Sequence, residues 1–314
     1  MTSVLVTGGA GFIGSQLADR LLAEGHRVVS VDDLSTGRIA NLVEARGYGK
    51  EFSFFNMDVR ADGLAALFER HRPEVVFHLA AQAGVRPSLV DPVHDASVNI
   101  MGLLNVLEAS VKVGARKLVY AASGGTMYGE PRRLPVKESA AQGSRPLSPY
   151  GVSKKVGIDY LGYYQRYRGL DFTALALGNV YGPRQDPFGE AGVISIFASK
   201  MIAGEAPTIF GDGNQTRDYV FIDDTVHAFV QSIDRGSGKV VNVGTGLETS
   251  VNHLYRLLSD ISGFAGEPEH APLPPGELRR IALDISSAPT TLAWKPWTHL
   301  EDGLAETVAY LKGI

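Results

Sequence analysis

Three glycines spaced Gly8-x-x-Gly11-x-x-Gly14, set between a short apolar run and a helical stretch, constrain this chain more than any other feature. Residues 4–7 read as a buried strand and 13–24 as a helix, so the glycines occupy a strand-to-helix turn. In that context Gly8 makes the tight turn, Gly11 admits a pyrophosphate, and Gly14 lets helix and sheet approach closely. Phosphates then sit on free amides at a helix N-terminus. A glycine turn with no ligand is the plain alternative, and the strand and helix flanks argue against it.

Strand and helix keep alternating through the first half. Residues 4–7, 28–31, 52–56, 75–79, 118–122 and 172–177 read as buried strands, with helical stretches at 13–24, 64–70, 93–113 and 150–168. That rhythm predicts an α/β fold, a Rossmann-type doubly wound parallel sheet with right-handed crossovers and helices on both faces. Beyond Gly182 the rhythm loosens. A helix near 194–203, short strands near Tyr219 and 240–243, and helices near 250–261 and 300–311 predict a smaller C-terminal α/β lobe. The expected division is 1–178 for the dinucleotide and 179–314 for the substrate, with some exchange of chain between them. The Pro-rich segment 271–276 reads as a loop.

Asp32 ends the second strand about 20 residues beyond the glycines, where a carboxylate accepts from an adenosine ribose 2′-hydroxyl and repels a 2′-phosphate. Asp33 follows it and neither place holds an Arg, so NAD is expected rather than NADP. Asp58, just past the third strand, is within reach of the adenine, or else an ordinary loop acid. Leu79-Ala80-Ala81-Gln82 ends the fourth strand with the small residues that a wall beside a flat cofactor needs.

Tyr150 and Lys154 lie four apart on the helical stretch that Pro149 opens, and so share one face. An ammonium beside a phenol favours the phenolate. A Tyr lowered from its usual value near 10 becomes a usable general base. By itself such a pair is as readily helix packing; behind a dinucleotide fingerprint it reads as catalytic.

Composition narrows the setting. With 314 residues, 44% of them hydrophobic and 20% charged, the chain can bury a large core. A net charge of −4 and a pI near 6.1 leave no basic footprint for nucleic acid. The absence of cysteine excludes disulfides, a thiol nucleophile and Cys–zinc sites, and no metal site is expected. The first residues lack a basic leader region, and no apolar stretch reads as long enough to span a membrane. A soluble, cytoplasmic protein is expected.

Taken in order, TGGAGFIG (7–14), DDLSTG (32–37), HLAAQ (78–82), Asn99, ASGGTMYG (122–129), YGVSK (150–154), GNVYGPRQDP (178–187), Arg217-Asp218-Tyr219 and NVGTG (242–246) resemble the extended short-chain dehydrogenases/reductases that act on nucleotide sugars. Nearly the whole chain is covered, and the UDP-sugar 4-epimerases are the most similar members. The resemblance implies that NAD is held by the loop Gly8–Gly14 with Phe12 and Ile13, by Asp32, Asp33, Ser35, Thr36 and Gly37, by Asp58 and Val59, by the wall at 79–82, and by Asn99, Tyr150 and Lys154. It also implies that Tyr150 takes the proton of the sugar 4-hydroxyl as hydride leaves carbon 4, and that the 4-keto sugar turns over before the hydride returns. Lys154 would hold the nicotinamide ribose and keep the Tyr150 pKa low. Val85, Arg86, Asn179, Gly192, Val193, Arg217 and Glu277 match positions that hold a UDP-sugar, although Arg217 is equally readable as a rim salt bridge.

Two departures stand out. Many relatives carry Ser or Thr where this chain has Gly124, which leaves Ser123 or Thr126 to assist Tyr150. In the late loop an Arg expected on the diphosphate is replaced by Pro274, with Arg279 or Arg280 as substitutes. Where related dehydratases place an Asp-Glu pair, Gly125 and Thr126 stand, and simple 4-epimerisation is what remains. The expected substrate is a UDP-hexose; Arg86 keeps a uronate open as the alternative, and a non-catalytic NAD sensor is the remote one. The resemblance also implies a homodimer, formed by the stretches 93–113 and 150–168.

Overall fold

The computed structural model describes residues 1–188, 192–273 and 278–313. Six strands come from the first half: β1 (Ser3–Thr7), β2 (Arg27–Asp32), β3 (Phe52–Asn56), β4 (Val75–His78), β5 (Lys117–Ser123) and β6 (Asp171–Leu177). Successive side chains of a strand point to opposite faces, and here both faces are covered. Val4, Val6, Val75, Phe77 and Val119 enter one core cluster. Leu5, Val76, Leu118 and Tyr120 enter the other.

The helices that cover these faces are α1 (Phe12–Ala23), α2 (Val43–Arg46), α3 (Leu64–His71), α4 (Val85–Val90), α5 (Pro92–Ala96), α6 (Gly102–Val113) and α7 (Pro149–Arg168). The expected helix at 93–113 is not one element: a π-helical turn, Ser97–Met101, separates α5 from α6 and carries Asn99. Such turns are frequent at functional sites. One expectation needs correction here. The 22-residue run Pro92–Val113, of mean hydropathy 1.2, is long and apolar enough to cross a membrane by length and composition. In the fold it lies against α3 and α7, with Leu103, Val106 and Leu107 fully buried.

The second half contributes β7 (Asn179–Tyr181), β8 (Thr208–Phe210), β9 (Thr216–Arg217), β10 (Tyr219–Phe221), β11 (Lys239–Val243), β12 (Thr249–Ser250) and β13 (Glu269–Ala271). Its helices are α8 (Val193–Ile202), α9 (Ile222–Gln231), α10 (Val251–Ser262), α11 (Ala288–Leu292) and α12 (Leu300–Lys312). The main sheet has seven parallel strands in the order β11-β6-β5-β4-β1-β2-β3. Strand order reverses between β1 and β4, which opens the crevice where such sheets bind ligands. β11 belongs to the late sequence yet pairs with β6, Lys239 opposite Thr173. α9 packs on α1 beneath the same sheet. The remaining strands form three two-stranded pairs, β10 with β7, β12 with β9 and β13 with β8.

Arg184, in the GNVYGPRQDP segment, fastens the start of the second half to the first. Its guanidinium meets Asp19 at 2.6 Å and Glu44 at 3.0 Å, from a backbone with φ 68°. Gln16 donates to the carbonyl of Pro183 at 2.7 Å beside it.

Candidate active site

The glycine turn is shaped by close approaches. Gly8 has φ 71°, and a Cβ there would lie 2.7 Å from the amide nitrogen of Ala80. A Cβ on Gly14 would lie 2.1 Å from the carbonyl oxygen of Gly8, so only hydrogen lets α1 pack so near the loop. Phe12, Ile13 and Gly14 form the first turn of α1, where amides have no intrahelical acceptor, and the N-cap Gly11 has no side chain to supply one. The loop thus presents free donors at a positive helix end, which fits a pyrophosphate.

Asp32 is buried at the end of β2. Its carboxylate accepts from the amide of Ala10 at 2.9 Å and from that of Leu34 at 2.8 Å. Burial raises its pKa, and these two hydrogen bonds oppose the rise. Gly37 must stay bare, because a Cβ would meet the Asp32 carboxylate at 2.5 Å. Asp33 is exposed and folds back on Ser35, accepting from its amide at 2.9 Å and its hydroxyl at 2.6 Å. Thr36 is exposed beside them. Asp58 is taken up by Arg60, with contacts of 2.6–3.0 Å that hold its pKa down. The buried Val59 packs against Gly102.

The fourth-strand wall is hydrogen-bonded on both sides. Ala80 donates to Thr7 Oγ1 at 3.2 Å, and that hydroxyl lies 2.8 Å from His78 Nδ1. Leu79 donates to the Thr7 carbonyl at 3.2 Å. Gln82 exchanges two 3.0 Å bonds with Asn99, amide to side-chain oxygen and side-chain nitrogen to carbonyl. Ala80, Ala81 and Gln82 stay partly open above the glycine turn.

α7 begins at Ser148, whose hydroxyl caps the Gly151 amide at 3.2 Å, and Pro149 fills its first position. Tyr150 therefore sits in the first turn and Lys154 one turn on. Lys154 is buried; its Nζ donates to the Ala121 carbonyl at 2.9 Å and lies 5.7 Å from the Tyr150 ring centroid. Burial pulls its pKa down to about 8, against the attraction of Asp95. The expectation that Lys154 lowers the phenol does not hold for the protein matrix taken by itself. Burial pushes Tyr150 up to about 12, and what pulls the other way is the hydrogen bond with Ser123.

Of the two candidate hydroxyls, Ser123 is the one that pulls the Tyr150 pKa down. Thr126 Oγ1 is buried without a hydrogen-bond partner among the described residues. Gly124 cannot easily carry a side chain, since a Cβ would meet Leu283 at 2.8 Å and the Ala176 carbonyl at 3.0 Å. Gly125 lies beside the Asn179 side-chain oxygen.

Opposite this edge, Asn179 donates through its amide to the Asp218 carbonyl at 2.7 Å. Asp218 is fully buried and gathers the NVGTG loop: it accepts from Thr245, Gly246 and Leu283 amides at 2.7–3.0 Å. Arg217 follows from that knot, with Nη1 2.8 Å from the Thr216 carbonyl. Gly192 caps α8, and Val193 opens it. Val85 begins α4, and the exposed Arg86 lies 5.1 Å over the Phe210 ring, joining α4 to β8. Arg280 is engaged by Glu248 at 2.6 Å. Glu277 and Pro274 lie outside the described residues.

Asp95, Ser153, Asp218 and Leu283 were not singled out as site residues, although each shapes the site. For Asp95 the signal was present, because it stands four residues before Asn99 on one helical face. Leu283 left none, being more than 150 residues from Gly124 in the chain.

A family model described as the NAD dependent epimerase/dehydratase family matches residues 4–244. The UDP-glucose 4-epimerase of Mycolicibacterium smegmatis is 47% identical over 309 residues, 98% of either chain. The structure of UDP-glucose 4-epimerase from Thermotoga maritima with UDP-glucose superposes with a TM-score of 0.95 at 43% identity, covering 99% of both chains. That of the Thermus thermophilus UDP-glucose 4-epimerase in complex with NAD has a TM-score of 0.92 at 39% identity, again over 99% of both.

Proposed function

Because the chain belongs to the NAD dependent epimerase/dehydratase family, we propose that it catalyses NAD-dependent 4-epimerisation of a UDP-hexose, interconverting UDP-glucose and UDP-galactose or their N-acetylated forms. The observation that carries this reading is the meeting of Ser123, Tyr150 and Lys154 at the strand ends that also present the glycine cradle.

Bound NAD supplies a hydride acceptor and then donor at carbon 4, so the sugar passes through a 4-keto form without net redox change. The chain's own residues do the rest. The Tyr150 phenolic oxygen takes the 4-hydroxyl proton and later returns it, with the Ser123 hydroxyl holding both oxygens in line. The Lys154 ammonium, held by the Ala121 carbonyl, favours the ionised phenol once the site is filled and water excluded. Asp32 takes the adenosine ribose and repels a 2′-phosphate. The first-turn amides of α1 take the pyrophosphate. Asn179, Arg217 and the Gly192–Val193 start of α8 face the nucleotide diphosphate and base.

In this reading 1–178 binds the cofactor and 179–314 the nucleotide sugar, with β11 returned to the sheet. The protein is cytoplasmic and a homodimer. Val93, Met101, Val152, Tyr163 and Tyr167 are between 45% and 78% exposed on α5, the π-turn and α7, which supports a two-fold contact there. Leu103, Val106, Leu161 and Tyr164 of the same stretches are buried in the chain's own core. UDP-glucuronate remains the second substrate reading, resting on Arg86.

The test is direct. Purified protein incubated with UDP-glucose should yield UDP-galactose by NMR. Absence of any epimer from UDP-glucose, UDP-N-acetylglucosamine and UDP-glucuronate, with NAD bound, would overturn the proposal.

A further inference from the structure

Behind Tyr150 and Lys154 lies a buried polar cluster that the reaction as written does not use. Asp95 is wholly buried, and its two oxygens face different elements. Oδ1 accepts from Asn99 Nδ2 at 2.9 Å and Oδ2 from Ser153 Oγ at 2.6 Å. Asn99 in turn exchanges two bonds with the backbone of Gln82. Ser153 directly precedes Lys154 on α7. One carboxylate thus joins α5, the π-turn, the fourth-strand wall and the catalytic helix, bonded among the described residues to neutral donors. A buried carboxylate in that position needs a cation nearby.

We propose that Asp95 is a positioning residue: its carboxylate is the counter-charge that keeps the Lys154 ammonium charged beside Tyr150, and its two hydrogen bonds lock α7 to the cofactor wall. This rests on the 4-epimerase reading for its kinetic consequence, and for the rest on the burial of Asp95 and its hydrogen bonds to Asn99 and to Ser153, the neighbour of Lys154. Asp95 acts on both neighbours, favouring the charged Lys154 and disfavouring the Tyr150 phenolate. Other groups face the cluster without competing. His78 on β4 is neutral, burial taking it to about 3, and burial pushes the Tyr120 phenol on β5 well upward. Asp91 and His94 are exposed around α5, Arg60 is paired with Asp58 and bonds Ser97, and Arg86 of α4 lies over Phe210.

The sign follows. Without the Asp95 charge Lys154 loses its proton at lower pH and Tyr150 ionises at lower pH. Both limbs of the rate profile should move the same way.

NAD-loaded wild type, Asp95→Asn, Asp95→Glu and Ser153→Ala would be compared in two measurements. The first is the pH profile of kcat with UDP-glucose. The second needs no substrate: the phenolate absorbance of each protein minus that of its Tyr150→Phe counterpart, titrated with pH. Asp95→Asn is isosteric and should displace both limbs and the phenolate midpoint to lower pH by about one pH unit. Ser153→Ala keeps the charge; it should lower kcat with both limbs in place. Asp95→Glu should hold the wild-type limbs. An Asp95→Asn protein whose phenolate midpoint coincides with wild type, or an Asp95→Glu protein displaced as Asn is, overturns the proposal. Failure of wild type to turn over any UDP-sugar would count against the functional reading and leave the phenolate titration to judge Asp95.

Discussion

The Nζ of Lys154 lies 2.9 Å from the carbonyl oxygen of Ala121, on the strand that ends at Ser123, the residue that pulls the Tyr150 pKa down. Strand β5 therefore sets the spacing of the acid–base group from both sides: a backbone carbonyl anchors the ammonium and a side chain anchors the phenol. Neither anchor depends on a flexible loop.

Tyr150→Phe should remove most epimerase activity, roughly 10²–10⁴-fold, while NAD stays bound, because only the phenolic oxygen is lost. In the wild type, with burial pushing Tyr150 up to about 12 and bringing Lys154 down to about 8, the rate should rise with pH as Tyr150 ionises and level off as Lys154 loses its proton. Near-normal turnover in the Phe variant would refute the assignment.

Asp32→Ala should weaken NAD binding by about 1–3 kcal/mol, the scale of a lost hydrogen bond to a charged group. The structure adds a second effect, since the Ala10 and Leu34 amides lose their acceptor too. A drop in melting temperature of the NAD-free protein is expected alongside, and smaller losses of both kinds in Asp32→Asn. Calorimetric titration showing unchanged affinity in Asp32→Ala would mean the ribose lies elsewhere.

Gly124→Ser should cost about 1–3 kcal/mol in urea unfolding, because the new side chain meets Leu283 at 2.8 Å and the Ala176 carbonyl at 3.0 Å. Leu283→Ala in the same chain should recover part of that loss. A Gly124→Ser protein as stable as wild type would show that the wall around position 124 yields freely.

Light scattering should give a dimer at micromolar concentration, and Tyr163→Asp, on the exposed face of α7, should shift it towards monomer. A wild-type monomer under those conditions defeats the homodimer.

Arg86→Ala should lower kcat/KM modestly and alike for UDP-glucose and UDP-glucuronate, since its guanidinium is stacked on Phe210. A loss confined to UDP-glucuronate, with UDP-glucose scarcely turned over, would make a uronate the substrate.

Local patterns carried most of the fold. Gly8 with its positive φ, the alternating apolar runs and the Ser148-Pro149 helix start act within a few residues of themselves, so they are readable in order along the chain. The short strands and α9 of the second half were harder, because two- and three-residue strands exist only through partners far away. Ser123 and Thr126 were indistinguishable in one dimension; in the fold Ser123 ends β5 and pulls the Tyr150 pKa down, whereas Thr126 Oγ1 is buried without a partner among the described residues.

What the sequence by itself determined is the dinucleotide half: a strand, a bare turn and a helix whose free amides await phosphate, with Tyr150 and Lys154 one helical turn apart. What only the tertiary structure decided is the state of those two groups. Whether Lys154 lowers the phenol depends on how much water is removed from both and on which buried charge stands behind them. Burial that raises Tyr150 to about 12, and Asp95 arriving from another helix, are sums over contacts distant in sequence, and no local spacing encodes them.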